Sequence, residues 1–402
     1  IGKTYKVSAD VNSTNGLTPR LASSNPTTGL IGTLGTIETL TYAFIATSTS
    51  SQIELFNWQN TIDKYNLWDN VSVKEVTGQQ VVPDSGCGSW LWEPQTTQLV
   101  PYSEALTSGN WGSSAGTTPT LEGGYLAPDG TNTAFKISNA NQDSAWVYPG
   151  IILATSTRSI YARTISGSGT AQLLSHNSNT NNTFTITEQW QRFDVNTANS
   201  TGNTIFYAVD FRGSGTLSEV ILWGANATND QDYATSYIPT SGTTVTRNQD
   251  VCNNGGTGTG LINSTEGVLY AEIAANSNDG TYRILSLSNG SSVERVYMQY
   301  TNASNTLSVV VKRGSVTQAN ISYVLTNETD FNKIAFKYKE NDFALWVNGV
   351  KIGTDTNGLT PIGLSELAFD NGTGGNNFFG KTKCLAVFPF LTDTELQELT
   401  TI

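Results

Sequence analysis

Apolar and polar residues alternate along much of this chain, and that period of two commits it to β-structure. Tyr5, Val7, Ala9 and Val11 fall on one side of an extended segment, with Lys6, Ser8 and Asp10 on the other. Ile53 with Leu55 and Val71 with Val73 repeat the pattern. Residues 160–163, 183–187, 205–209 and 217–223 read as strands in the middle of the chain. Residues 268–273, 282–287, 296–300, 307–311 and 334–338 do so in the last third. Asn348-Gly349, between the apolar runs 343–347 and 350–352, predicts a type I′ hairpin turn, which needs positive φ at both central residues. One helix is predicted. Thr392-Asp-Thr-Glu395 has the form of a capping box, and Leu396 and Leu399 follow at helical spacing. Many short strands separated by turns predict tandem antiparallel β-sandwiches.

Composition narrows the partners. Charged residues make up 13% of the 402 positions and aromatics 10%, so the chain has the apolar content to fold. The formal net charge of −12 argues against nucleic acid and anionic membrane surfaces, which call for Lys/Arg patches. No apolar run is long enough to span a bilayer, so no membrane insertion is expected. Three cysteines, Cys87, Cys252 and Cys384, are too few and too scattered for a disulfide framework. Cys87 and Cys252 flank the middle of the chain, which leaves both a pair and buried thiols open. The single histidine, His176, lies in a polar run and reads as a solvated residue. The chain opens on Ile1 rather than Met, and a processed or partial product with sequence upstream is expected.

Three blocks emerge: residues 1–77, 101–250 and 261–402, with a connector at 78–100 and a Gly/Asn-rich linker at 251–260. In the first, residues 2–11 and Trp68-Asp-Asn-Val-Ser-Val-Lys-Glu75 resemble strands of a carbohydrate-binding-module jelly roll. That likeness implies a partial module whose opening strands precede Ile1. The second block carries Glu93-Pro94-Gln95, Tyr102-Ser103-Glu104, Trp111, residues 128–131, Trp190-Gln-Arg-Phe193, Trp223-Gly-Ala225 and the long string 234–250. Together these resemble the jelly-roll modules of bacteriophage tail and fibre proteins. The third block, through residues 267–272, 332–338, 343–349 and 391–396, resembles a laminin-G/concanavalin A-like lectin domain. The expected fold class is therefore all-β: jelly roll, jelly roll and concanavalin-like sandwich, with one short C-terminal helix.

Chemistry is sparse. Hydrolases of the concanavalin-like sandwich carry Glu-x-Asp-x-x-Glu on one strand, whereas Glu328-Thr-Asp330-Phe-Asn-Lys333 ends in Lys and reads as a solvated turn. No Gly-x-Ser-x-Gly elbow and no phosphate loop before a helix is present, so no enzyme is expected. A glycan platform combines an aromatic face with amide and carboxylate groups. Trp58 and Trp68 are candidates in the first block, Trp111, Trp146 and Tyr148 in the second, and Tyr297, Tyr300 and Trp346 in the third. Trp190, Trp223 and Trp346 fall within apolar strands and read as core. Calcium is the one cofactor the resemblance implies, with Asp370, Asn371 and Asp279 as candidate ligands and Asp129-Gly130 a further turn of that kind.

What the resemblance implies is a virion surface appendage, a tail fibre, spike or head fibre. Its partners would be a host cell-surface glycan or surface protein and other virion proteins. Such appendages are commonly homo-oligomers and often trimers, although no heptad repeat here fixes the state. The alternatives are the non-catalytic glycan-binding modules of a secreted bacterial polysaccharide-degrading enzyme, or a spacer without ligand.

Overall fold

The computed structural model describes residues 4–402 except 15, 25–26, 46, 58–63, 76–87, 108, 151, 153–154, 197–204 and 253–261. Apart from one isolated parallel bridge, all its strand pairings are antiparallel, and the described residues form one α-helix, Asp393–Thr400. The all-β expectation holds. The chain divides into two compact units, Ile1–Val81 and Val82–Ile402.

The first unit has two three-stranded sheets. One orders Ile37–Ile45, Thr4–Asn12 and Leu67–Glu75, and the other Thr27–Ile31, Pro19–Ser24 and Ile53–Asn57. In Thr4–Asn12 the alternation read from the sequence is the packing, whereas Leu55, Val71 and Val73, read with the same pattern, are exposed. Val7, Ala9 and Val11 are buried with Leu21, Leu40 and Phe44, and Ser8, Asp10 and Asn12 face the other way. Where Thr4–Asn12 pairs with Leu67–Glu75 the register slips between Ser8 and Asp10, and Asn70 takes φ +50° beside the slip. Such a bulge re-aims the side chains around it.

In the second unit, a jelly roll is built from two five-stranded sheets. One runs Thr120–Tyr125, Ala134–Ser138, Glu219–Thr228, Thr157–Arg163, Gln191–Val195. Its partner runs Thr183–Ile186, Gly169–Gln172, Phe206–Asp210, Ala145–Tyr148, Gly112–Ser114. Gly224 sits mid-strand at φ +66° opposite a register slip, with the Tyr161 and Tyr237 rings against it, so a side chain there would be strained and crowded. The string 234–250 closes the module by folding back on its entry. Tyr237 Oη donates to Glu104 Oε1 (3.0 Å) and lies 2.7 Å from Ser103 Oγ; Thr240 N donates to Ser103 Oγ (2.8 Å), and Thr240 Oγ1 donates to the Val100 carbonyl (2.6 Å). Motifs more than a hundred positions apart in the sequence thus form one clasp.

The C-terminal sandwich pairs a six-stranded sheet (Val350–Asp355, Phe343–Val347, Asn332–Lys339, Glu266–Ala275, Gly380–Phe388, Trp90–Trp92) with a five-stranded one (Val316–Val324, Thr306–Arg313, Arg295–Tyr300, Arg283–Ser288, Glu366–Ala368). The stretch expected to be a plain connector is therefore structural. Trp90–Trp92 is the edge strand of this six-stranded sheet, with the Trp92 ring tilted against Phe369 (4.5 Å between centroids), and Thr96–Gln98 pairs with Val245–Arg247. Burying Trp92 is what converts a linker into a strand. Asn348 and Gly349 both have positive φ, as a type I′ turn requires. The capping box forms as expected: Thr392 Oγ1 accepts from Glu395 N, and Glu395 accepts from Thr392 N (2.7 Å). Leu396 is buried against Trp346. Thr392→Ala is expected to destabilise the chain by about 1 kcal/mol, seen as a small drop in the denaturation midpoint, with Thr392→Ser near neutral.

Candidate functional site

A shallow cleft of about 340 Å³ lies on the first unit, lined by Asp10, Asn12, Ile37, Leu67, Asp69 and Asn70 among others. Strand register assembles it. Asn12 pairs with Ile37 and with Leu67, Asp10 with Thr39 and with Asp69, and Val11 with Trp68. Asp10 accepts from Thr39 Oγ1 (2.5 Å) and from Asn70 Nδ2 (2.7 Å), and these bonds hold its carboxyl below the usual range. Asn70 can reach Asp10 because the bulge turns it there, while its own N–H donates to Asp69 Oδ1 (2.7 Å). Trp68, the register partner of buried Val11, is half-buried and packs against the core, so its ring lies on the face of the strand opposite Asp10 and Asp69. Ile37, 74% exposed, and Leu67, 59% exposed, add apolar surface beside the carboxylates. The result is two aliphatic side chains, two carboxylates and two amides around one hollow.

The other aromatic candidates divide differently. Trp111 and Trp146 are core, not platforms. Their indole N–H groups donate to the Tyr102 and Leu106 carbonyls (3.0 Å each), and both rings are buried in the jelly-roll core. Tyr148 is half-buried, edge-on to Trp111. Tyr300 is 1% exposed and its hydroxyl donates to the Ile273 carbonyl. Tyr297 lies on the opposite, outer face of the same sheet, beneath the Arg295 guanidinium (4.3 Å from its centroid). Two tyrosines three residues apart on a strand cannot share a face. Trp223 and Trp346 are buried as read, and Trp190 is half-buried under the Arg163 guanidinium. Trp58 and Cys87 lie outside the described residues. Cys252 is half-buried and Cys384 exposed, both free. His176 is half-buried, edge-on to Tyr207.

The residues proposed for calcium do not fit a cation. Asp279 accepts from Arg283 (2.8 Å) and from Thr281 N; burial pulls its carboxyl up, but those bonds and the guanidinium charge more than offset it and hold it low. Asp370 Oδ1 accepts from Gly372 N (2.6 Å), Asn371 Oδ1 accepts from Thr373 and Gly375, and the Asn371 carbonyl accepts from Arg295 Nη1 (2.7 Å). A guanidinium therefore stands where a cation would have to approach. Among the described residues no group of three or more His, Cys, Asp or Glu could hold a metal ion.

Glu328, expected in a solvated turn, is instead 1% exposed: its carbonyl accepts from Ala275 N, and burial raises its carboxyl. Asp330 is exposed, so the two form no facing pair. Sequence reading also missed the Glu93–Arg247 ion pair. The Glu93 side chain is 1% exposed and accepts in addition from Ser236 N (2.9 Å). No local pattern links residues so far apart.

No family model and no curated protein matches this sequence. Solved structures that are similar are β-sandwiches. The CBM40 module of a Ruminococcus gnavus IT-sialidase, solved with α2,3-sialyllactose, is 20% identical over 34% of this chain and 83% of that one, with a TM-score of 0.30. A SAP-like pentraxin from Limulus polyphemus is 14% identical over 35% of this chain and 72% of its own, at TM-score 0.27. The Caenorhabditis elegans galectin LEC-6 is 11% identical over 35% of this chain and 91% of its own, at 0.25.

Proposed function

We propose that this chain is a surface appendage of a bacteriophage virion that attaches to a host-cell glycan without altering it. The observation that carries the glycan reading is the cleft in which Ile37 and Leu67 lie beside Asp10, Asn12, Asp69 and Asn70. Sugar hydroxyls donate to the two carboxylates and accept from the amides, while sugar C–H groups lie on Ile37 and Leu67. The cleft is shallow, so each site binds weakly, and several copies on one particle supply avidity through effective concentration. The virion assignment rests on the jelly-roll motifs of residues 93–250.

A binding role suits this cleft better than hydrolysis. A glycosidase needs one carboxyl raised to act as general acid. Asp10 is pushed the other way by Thr39 and Asn70. Of the carboxyls that burial raises, Glu104 is held by the Tyr237 hydroxyl, and Glu328 is enclosed at one end of the lectin-like sandwich.

A glycan array probed with the full chain tests this reading. Against the strongest ligand found, Asp10→Asn is expected to weaken binding about 10-fold or more and Leu67→Ala about 3-fold, with folding unchanged. No bound glycan, or full affinity in Asp10→Asn, would reduce the first unit to a spacer. Antibody raised against the chain should decorate particles and block their adsorption if the virion assignment holds.

A further inference from the structure

The outer face of the C-terminal five-stranded sheet holds two cations without a counter-ion. Strand register sets Glu366, Ser288, Arg295, Lys312 and Thr317 in one row across that face. Arg295 and Lys312 are therefore directly opposed, an arrangement that destabilises a sheet when the charges are alike. In a chain with 33 acidic and 21 basic residues, cations readily find carboxylates. Elsewhere Arg212, Arg247, Arg283, Lys337, Lys339, Lys351 and Lys383 all do so. Lys312 has no hydrogen bond or ion pair among the described residues, and Arg295 has one, from Nη1 to the Asn371 carbonyl. The Arg295 side chain is nine-tenths buried, stacked on Tyr297, and its Nε is enclosed without a partner. The nearest carboxylate in the row, Glu366, is two strands away and accepts from Ser288 Oγ. Glu294 is taken up by the N–H groups of Gly314 and Ile362.

Nothing internal neutralises this pair, and the Arg295 fork is fixed in place by Tyr297 and the 370–377 loop. Gln299, Ser308, Asn320 and Ser322 continue the same face with neutral hydrogen-bonding groups. We propose that this face is a second saccharide site, separate from the Asp10 cleft, and that it takes an anionic sugar whose carboxylate or sulfate sits between Arg295 and Lys312. A rigid guanidinium suits an oxyanion, and the neutral groups beside it suit the rest of the sugar.

The test is titration of the full chain with a glucuronate-bearing oligosaccharide, its carboxyl-reduced neutral counterpart, and a sulfated oligosaccharide. At least one acidic ligand should bind, the neutral one at least about 10-fold more weakly, and affinity should fall as salt rises. Arg295→Gln and Lys312→Gln should each weaken binding about 10-fold or more, while Asp10→Asn leaves it unchanged. Lys312→Glu separates function from folding: it should abolish binding while raising the melting temperature by about 1–3 °C, because it relieves the opposed charges. Preference for the carboxylate or the sulfate assigns the anion. Equal affinity for acidic and neutral sugars, or unchanged binding in Lys312→Glu, overturns the proposal. Loss of binding in Asp10→Asn alone would place the acidic sugar in the first unit instead.

Discussion

Glu93→Ala is expected to lower the thermal midpoint of the second unit by about 6–20 °C. The Glu93 carboxylate is enclosed, and two groups depend on it, Arg247 Nη1 and Ser236 N, while the bonds between the Glu93 backbone and Asp250 survive the substitution. Removing the carboxylate leaves Arg247 as an uncompensated, mostly buried charge whose Nε already lacks a partner. Breaking a buried pair from one side costs about 3–5 kcal/mol, which for a domain of this size is about 2–4 °C per kcal/mol. Replacing both partners with apolar residues of similar shape, as in Glu93→Leu with Arg247→Met, should recover most of the loss, because the cost lies in the stranded charge and not in a missing attraction. Calorimetry on the three proteins decides it. A drop under about 2 °C in the single variant would mean that water reaches the pair and screens it.

Trp223→Ala should cost about 3–5 kcal/mol, read as a lower urea midpoint at unchanged slope. The indole is fully buried between Tyr161 (5.5 Å) and Tyr237 (4.6 Å), and its N–H donates to Thr133 Oγ1 (2.9 Å). Truncation empties the space against which Tyr237 is set, and Tyr237 carries the hydrogen bonds to Ser103 and Glu104 that close the jelly roll. Trp223→Phe keeps a ring in place and gives up the indole donor, so its loss should be about half as large. Equal losses in the two variants would show that the hydrogen bond, not the filled volume, is what matters at this position.

These sites also show where sequence reading works and where it stops. Alternation placed Val7, Ala9 and Val11 inside and Asp10 outside, and Asp10 now lines the cleft. Trp68 misled, because it pairs with buried Val11 and its ring belongs to the core side. Asn70 was not legible, because a bulge breaks the period that such reading relies on. Alternation also held the answer for Tyr297 and Tyr300, since an odd separation on a strand puts them on opposite faces. Trp111 and Trp146 misled because a loop-adjacent indole looks exposed until its N–H finds a carbonyl, and the Leu106 and Tyr102 carbonyls come from the folded entry segment. The Arg295–Lys312 opposition depends on cross-strand register, which no single strand encodes.

The edge strand Trp90–Trp92 has a consequence for how the protein is made. Its partners, Gly380 through Thr382, are synthesised about 290 positions later, after the entire jelly roll. The jelly roll is in effect nested inside the C-terminal sandwich, between Trp90–Trp92 and the rest of that sandwich's strands. At ordinary translation speeds the two indoles wait on the order of tens of seconds for their place in the sheet. A nascent chain interrupted anywhere in that interval displays an unpaired apolar strand, a ready mark by which cellular chaperones and proteases could tell finished copies from unfinished ones.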